Sequence, residues 1–533
     1  MDIPKGKIVA IIGESGSGKS VTAFSIMQLL PQQANIKGEI IFSENENEQQ
    51  NIIALSEDEI RKIRGNKIAM IFQEPMTSLN PLHKCGRQVM ENLMLHKKLN
   101  KQQAKAETIA LFTKVELPNP TEIIDRYPHQ ISGGQKQRVM IAMAMSCKPA
   151  LLIADEPTTA LDVRVQKNIL KLLKNLQAEN NMSILFITHD LQLVANIADE
   201  IAVMYKGEIV EQGNAKTILE NPQHNYTKAL LGCLPTPKCK GKKLAVISDF
   251  LEEKKEEIIT PIKNIISDEV VLKVQNVKVY YPNKRNFLGK VLDNYKAVDD
   301  VSFEVHKNEI VGLVGESGCG KTTLGRAILN LIKPTSGHIY YEGKDLAQIS
   351  KNDLRILRKE LQIVFQDPYG SLNPRISIGD AITEPMQVHK LFATKKLQKE
   401  KTIELLEQVN MTADSFDRYP HQFSGGQRQR ICIARALALN PNFLIFDESV
   451  SALDVSVQAQ VLNLINDLKN TFGFSAIFIS HNFPVVHYIS DRIMVMKNGK
   501  IIEAGSADEI INKPKEIYTQ ELLAAVPGST FAL

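Results

Sequence analysis

Short, unbroken apolar runs, separated by polar stretches of helical length, set the pattern of this chain. Ile8–Ile12 and Val311–Val314 read as buried strands. Leu151–Ala154 and Leu444–Phe446 are runs of the same kind that end in acids. Ile184–Thr188 and Ala476–Ser480 end just before a histidine. Loops and helical stretches alternate with these runs, which predicts an α/β fold with a mostly parallel sheet covered by helices. Between Gln73 and Gln135, and again between Gln366 and Gln427, the pattern is mostly helical and reads as an insert. No apolar run reaches about 18 residues, so the sequence predicts no membrane-spanning helix, and no basic-then-apolar secretion signal opens it.

The pattern occurs twice. Gly13-Glu14-Ser15-Gly16-Ser17-Gly18-Lys19-Ser20 returns as Gly315-Glu316-Ser317-Gly318-Cys319-Gly320-Lys321-Thr322, followed by Thr323. The spacing from Ser132 to Asp155 to His189 repeats unchanged from Ser424 to Asp447 to His481. A period this long means two whole domains and not stacked small units. We expect domain 1 at 1–232, a linker at 233–268 and domain 2 at 269–533. The linker carries Pro235, Pro237, a basic cluster from Lys238 to Lys243 and the mixed-charge run Glu252–Glu257. It reads as a solvated tether or exposed helix, with a lysine contact to anionic lipid as the minority reading. The strand-like segments Val271–Tyr281 and Val301–Val305 have no counterpart ahead of Lys7. Either the first domain lacks an edge subsheet or Met1 lies downstream of the native start.

Composition changes little. In 533 residues, 43% are hydrophobic and 23% charged, as in ordinary globular protein. A net charge of +4 leaves no nucleic-acid footprint at this size. Six cysteines lack metal-type spacing, which points to a reduced, cytosolic compartment.

The chemistry sits at the glycine-rich loops. G-x-x-x-x-G-K-[ST] after an apolar strand lets backbone N–H groups wrap phosphates, while the following helix aims its positive end at them. Lys19 and Lys321 meet the β- and γ-phosphates, and the hydroxyls of Ser20 and Thr322 are candidates for Mg²⁺. Cys319 reads as a small filler. Asp155 and Asp447, at strand ends facing the loops, are further Mg²⁺ candidates. Glu156 and Glu448 are the candidates to polarise an attacking water. His189 and His481 are placed to contact the γ-phosphate.

Ser132-Gly133-Gly134-Gln135, followed by Lys136-Gln137-Arg138, and Ser424-Gly425-Gly426-Gln427, followed by Arg428-Gln429-Arg430, resemble the signature of ABC ATPases. Gln73 and Gln366 match that family's Q-loop, and Ala160-Leu161-Asp162 and Ala452-Leu453-Asp454 its D-loop. The resemblance covers nearly the whole chain except the linker. It implies two tandem P-loop ATPase domains, with ATP and Mg²⁺ as cofactors and both glutamines beside the metal. It also implies that each ATP is shared between one half's loop and the other half's signature, in two hydrolytic sites. The family stacks adenine on an aromatic ahead of the loop. Tyr281, or its neighbour Tyr280, fits in the second half, and the first half shows no equivalent.

Both Q-loops continue distinctively, as Glu74-Pro75-Met76-Thr77-Ser78-Leu79-Asn80-Pro81 and Asp367-Pro368-Tyr369-Gly370-Ser371-Leu372-Asn373-Pro374. Arg-Tyr-Pro-His-Gln precedes both signatures, at Arg126–Gln130 and Arg418–Gln422. Each half ends in a Tyr-Thr and a Leu-Leu before proline, at Tyr226–Pro235 and Tyr518–Pro527. These resemble the ATPases of dipeptide, oligopeptide and nickel importers. The stretch from Arg64 to Met76 is especially like the fused Yej-type ATPases linked to oligopeptide and microcin C uptake, with the fused glutathione-importer ATPases as the rival. The resemblance implies a peripheral subunit on the cytoplasmic face of the inner membrane. Its partners would be two transmembrane permease subunits and, indirectly, a periplasmic solute-binding protein, with no nucleic acid. A soluble ABC translation factor is a further alternative, disfavoured by the short, proline-containing linker.

Overall fold

The computed structural model describes residues 1–44, 49–73, 78–159, 161–251, 266–285 and 291–526. Glu74–Thr77, Ala160, Glu252–Glu257 and Pro527, singled out above, lie outside them. The chain divides into two compact units, Met1–Leu231 and Gly232–Leu533.

The first unit holds β1 (Ile8–Ile12), β2 (Ile41–Ser43), β3 (Gln49–Asn51), β4 (Ile68–Ile71), β5 (Leu151–Asp155), β6 (Ser183–Thr188), β7 (Glu200–Tyr205) and β8 (Glu208–Asn214). Its principal helices are α1 (Lys19–Ile26), α2 (Cys85–Lys97), α3 (Lys101–Lys114), α4 (Gly133–Met145), α5 (Val163–Asn180) and α6 (Asn225–Gly232). Six strands form one sheet in the order β4-β5-β6-β1-β7-β8. All its pairings are parallel except β7 with β8. Strands β1, β4, β5 and β6 are buried at every position, which is why they read as unbroken apolar runs. Helices α2 and α3 form the insert.

The second unit repeats this plan. Its strands are β9 (Val270–Arg285), β10 (Val291–His306), β11 (Ile310–Val314), β12 (Ser336–Tyr341), β13 (Lys344–Asp345), β14 (Leu361–Val364), β15 (Phe443–Asp447), β16 (Ser475–Ile479), β17 (Arg492–Lys497) and β18 (Lys500–Ser506). The helices are α7 (Lys321–Ile328), α8 (Ile378–Val388), α9 (Lys395–Gln408), α10 (Gly425–Leu437), α11 (Val455–Phe472), α12 (Phe483–Ile489) and α13 (Ile517–Ala525). The main sheet runs β14-β15-β16-β11-β17-β18, and a second sheet runs β10-β9-β12-β13. Among the described residues of the first unit no such second sheet is present. A two-stranded β2-β3 ribbon stands there instead.

The segment expected to be a solvated tether is not one as far as residue 251. Leu244 is buried in the second unit, and Asn463 of α11 clamps its backbone. Asn463 Oδ1 accepts the Leu244 N–H at 2.9 Å, and Asn463 Nδ2 donates to the Leu244 carbonyl at 2.8 Å. The Tyr488 hydroxyl donates to the Lys242 carbonyl at 2.9 Å, and Lys243 and Lys240 pair with Asp467 and Asp508. Asn463→Leu strands both backbone groups of Leu244. An unmet buried group costs about 1–3 kcal/mol, so a loss of about 2–6 kcal/mol for the two is expected as a lower urea midpoint. An unchanged midpoint would show that the clamp carries no stability.

Candidate functional site

Each glycine-rich loop leaves the central strand of its sheet and closes onto a helix start. A Cβ on Gly13 would lie 2.2 Å from the Met204 carbonyl oxygen, and one on Gly315 2.3 Å from that of Met496, so no side chain fits at either loop entrance. Around Gly16 and Gly318, both with φ +80, nothing stands within 4 Å of an added Cβ. The loops are tied to the β7–β8 and β17–β18 turns, where Gly207 and Gly499 donate to the carbonyls of Ser17 and Cys319, each at 2.9 Å. Lys19 Nζ donates to the carbonyls of Gly13 (2.8 Å) and Glu14 (2.7 Å). Lys321 repeats this with Gly315 (2.7 Å) and Glu316 (2.9 Å). Cys319 is buried, and burial pushes its thiol up, as suits a filler.

The second residue of α1 and of α7 reaches the acidic strand end. Ser20 Oγ donates to Asp155 Oδ1 at 3.2 Å, and Thr322 Oγ1 to Asp447 Oδ1 at 2.9 Å. Burial raises both aspartates above the usual carboxylate range against the pull of those hydroxyls. Thr323 lies on α7 one residue further on.

Glu156 and Glu448 follow in left-handed backbone, φ +48 and +47, a region few bulky residues occupy. Gln73 Nε2 donates to Glu156 Oε2 and Gln366 Nε2 to Glu448 Oε2, each at 2.9 Å. Thr159 adds a 2.9 Å hydroxyl bond to Glu156, and His189 Nδ1 lies 2.9 Å from Glu156 Oε1. Burial pushes Glu156 up, but His189, Thr159 and Lys19 outweigh it and hold the carboxyl at about 2. Glu448 is also lowered, burial again opposed by His481 and Lys321. The halves differ in detail. His481 Nδ1 stands 3.6 Å from Glu448, and Ser451, at the place of Thr159, donates to the Glu448 carbonyl instead.

The signatures open helices α4 and α10. Ser132 Oγ accepts the Gln135 N–H at 3.3 Å while Gln135 Oε1 accepts the Ser132 N–H at 3.0 Å, and Ser424 with Gln427 repeats both bonds. Gly133, Gly134, Gly425 and Gly426 form the first turns, whose N–H groups lack intrahelical acceptors. Loop, lysine, hydroxyl, aspartate, glutamate, glutamine and histidine thus gather within each half. The donor set fits a triphosphate with a hard cation, because the groups beside the cation position are oxygens from a hydroxyl and a carboxylate.

The ABC transporter family profile matches residues 1–159 and 298–451. The chain belongs to the ABC transporter family. The profile of the oligopeptide/dipeptide transporter C-terminal region matches residues 210–256 of this ATPase, which include most of the segment docked on the second unit. Its relatives include the glutathione import ATP-binding protein GsiA of Escherichia coli K12, 47% identical over 98% of this chain and 85% of the relative. GsiA of Escherichia coli O6:H1 is 46% identical and that of Pectobacterium atrosepticum 43%, each over the same shares. Among solved structures, a dimeric ATP-binding cassette in a post-hydrolysis state with ADP and Pi is 26% identical, with a TM-score of 0.40, covering 44% of this chain and 98% of that one. Among the described residues of the ABC ATPase no helix is long and apolar enough to cross a membrane.

Four side chains of this ATPase escaped the sequence reading. Thr159 was hidden inside a motif read for its acids. Tyr226 and Tyr518 stand out in the sequence only as markers of the importer branch, yet their hydroxyls reach the loops. Tyr295 of β10 is 53% exposed, stands opposite Tyr281, and donates to the Gly318 carbonyl at 2.8 Å. Tyr281 is itself 39% exposed, whereas Tyr280 bonds Asp299. A tyrosine among polar neighbours gave no apolar signal to follow.

Proposed function

We propose that this ABC ATPase powers import of short peptides, glutathione among them, from the cytoplasmic face of the membrane through two permease subunits fed by a solute-binding protein. The observation that carries the reading is the doubled constellation. Each half sets an ionised glutamate, buried in the first and half-buried in the second, beside a hydroxyl–aspartate pair and a lysine-bearing phosphate loop. The oligopeptide/dipeptide C-terminal region and the glutathione import relatives support the cargo class.

Mg²⁺, when bound, neutralises charge across the β- and γ-phosphates. Ser20 with Asp155, and Thr322 with Asp447, would hold it, with Gln73 and Gln366 alongside. Lys19 and Lys321 exchange loop carbonyls for phosphate oxygens. Glu156 and Glu448 orient the attacking water, and His189 and His481 face the γ-phosphate. Tyr281 is the proposed adenine platform in the second half. The signature residues Ser132–Gln135 and Ser424–Gln427 are proposed, from the family resemblance, to serve nucleotide.

Affinity capture of the full chain from detergent-solubilised membranes is expected to recover two multispanning proteins. Recovery of ribosomes with no membrane protein would replace this reading with the translation-factor alternative.

A further inference from the structure

The last helix of each half reaches back to its phosphate loop. In the first, the Tyr226 hydroxyl on α6 accepts the N–H of Glu14 at 3.1 Å. In the second, the Tyr518 hydroxyl on α13 accepts the N–H of Glu316 at 3.4 Å. Both rings are buried, at 0% and 4% exposure. Each helix is seated by an acid of the preceding hairpin. Glu211 accepts the N–H groups of Gln223 (2.7 Å) and His224 (3.2 Å), and Glu503 those of Lys515 (2.7 Å) and Glu516 (3.2 Å).

The two halves share this bond although their surroundings differ. Tyr205 packs on the Tyr226 ring at 4.2 Å, whereas Lys497 Nζ sits over the Tyr518 ring at 4.5 Å. Ring packing is therefore met in two ways, and the hydroxyl-to-loop bond is what stays the same. The residue it grips is the one whose carbonyl receives the lysine. Glu14 gives its N–H to Tyr226 and its carbonyl to Lys19, and Glu316 does the same with Tyr518 and Lys321.

We propose that Tyr226 and Tyr518 are positioning residues for ATP: each phenol pins the second residue of its loop and so sets where the phosphate-binding lysine stands. They act through Glu14 and Glu316. This rests on the loops being the ATP sites, and wild-type ATP binding tests that premise separately.

The test uses the full chain with Tyr226→Phe and Tyr518→Phe together, which keeps both rings and removes both acceptors. Losing one buried acceptor per loop predicts about five- to tenfold weaker binding of a fluorescent ATP analogue and a matching rise in KM. The kcat is expected to stay within about twofold, because the glutamates are untouched. Tyr205→Phe, whose ring stacks without using its hydroxyl on the loop, is expected to leave KM unchanged. Unaltered KM in the double variant overturns the proposal, and so does a fall in kcat alone, which would make the tyrosines structural. If the double variant fails to fold, Glu211→Gln with Glu503→Gln decides. A raised KM supports the seating of the tyrosines, and an unchanged one rejects it. Absence of ATP binding in the wild type would strike at the loops and not at the tyrosines.

Discussion

Replacing Glu156 and Glu448 together by glutamine is expected to cut ATP turnover about 10²–10⁴-fold while ATP stays bound. The carboxylates are the proposed bases for an attacking water, and both are held ionised, Glu156 in a buried site and Glu448 in a half-buried one. Glutamine preserves shape and still accepts a hydrogen bond from Gln73 or Gln366. What it loses is the capacity to polarise and deprotonate water. Phosphate release and retained radiolabelled nucleotide, measured on one preparation, separate the two effects. Turnover that survives intact would remove both glutamates from the mechanism. The single variants carry further information. Glu156 is held by Gln73, Thr159 and His189, whereas Glu448 takes Gln366 with His481 further off. Each single variant reports the half that remains.

The parallel sheets were legible in the sequence because their strands are buried on both faces and leave continuous apolar runs. Ile8–Ile12 coincides with β1, and the other runs differ from β5, β6, β11, β15 and β16 by a residue or so. Strands β9 and β10 were underestimated. They extend into polar ends where pairing replaces burial, as in the 3.0 Å bond from Asn283 to Asp293. Nothing in an apolar count reports such a ladder. The docked segment was misread for a related reason. Six residues of mostly basic character hid the two apolar anchors that follow, Leu244 and Ile247. The clamp itself, Asn463, is distant in sequence. The loops, acids and signature ends were legible because phosphate chemistry restricts residue types at fixed spacing. The tyrosines that buttress the loops were not, since a hydroxyl arriving from the last helix follows from tertiary packing alone.

The same substitution at equivalent loop glycines is expected to separate the two halves. Gly18 and Gly320 both precede the loop lysine in left-handed backbone, φ +107 and +111. An alanine at either position carries about 1–2 kcal/mol of conformational strain. Their surroundings then diverge. A Cβ on Gly18 meets the Met204 sulfur at 3.3 Å, the far end of a flexible side chain that moves aside. A Cβ on Gly320 would lie 2.0 Å from the Ala297 carbonyl oxygen and 2.9 Å from the Met496 methyl. Ala297 sits in β10 at a register shift, between the Lys296–Tyr280 and Val298–Val279 pairs with β9, so its main-chain carbonyl cannot retreat without pulling on the paired residues to either side. Backbone displacement of that kind adds about 1–3 kcal/mol to the strain, for a total of about 2–5 kcal/mol in Gly320→Ala against about 1–2 in Gly18→Ala. Urea denaturation with nucleotide binding at each variant checks the difference. Equal losses would mean that β10 does not buttress the second loop. The asymmetry traces to the second sheet of the second unit. That sheet walls in one phosphate loop, whereas the described residues of the first unit leave the other bounded there by a methionine side chain.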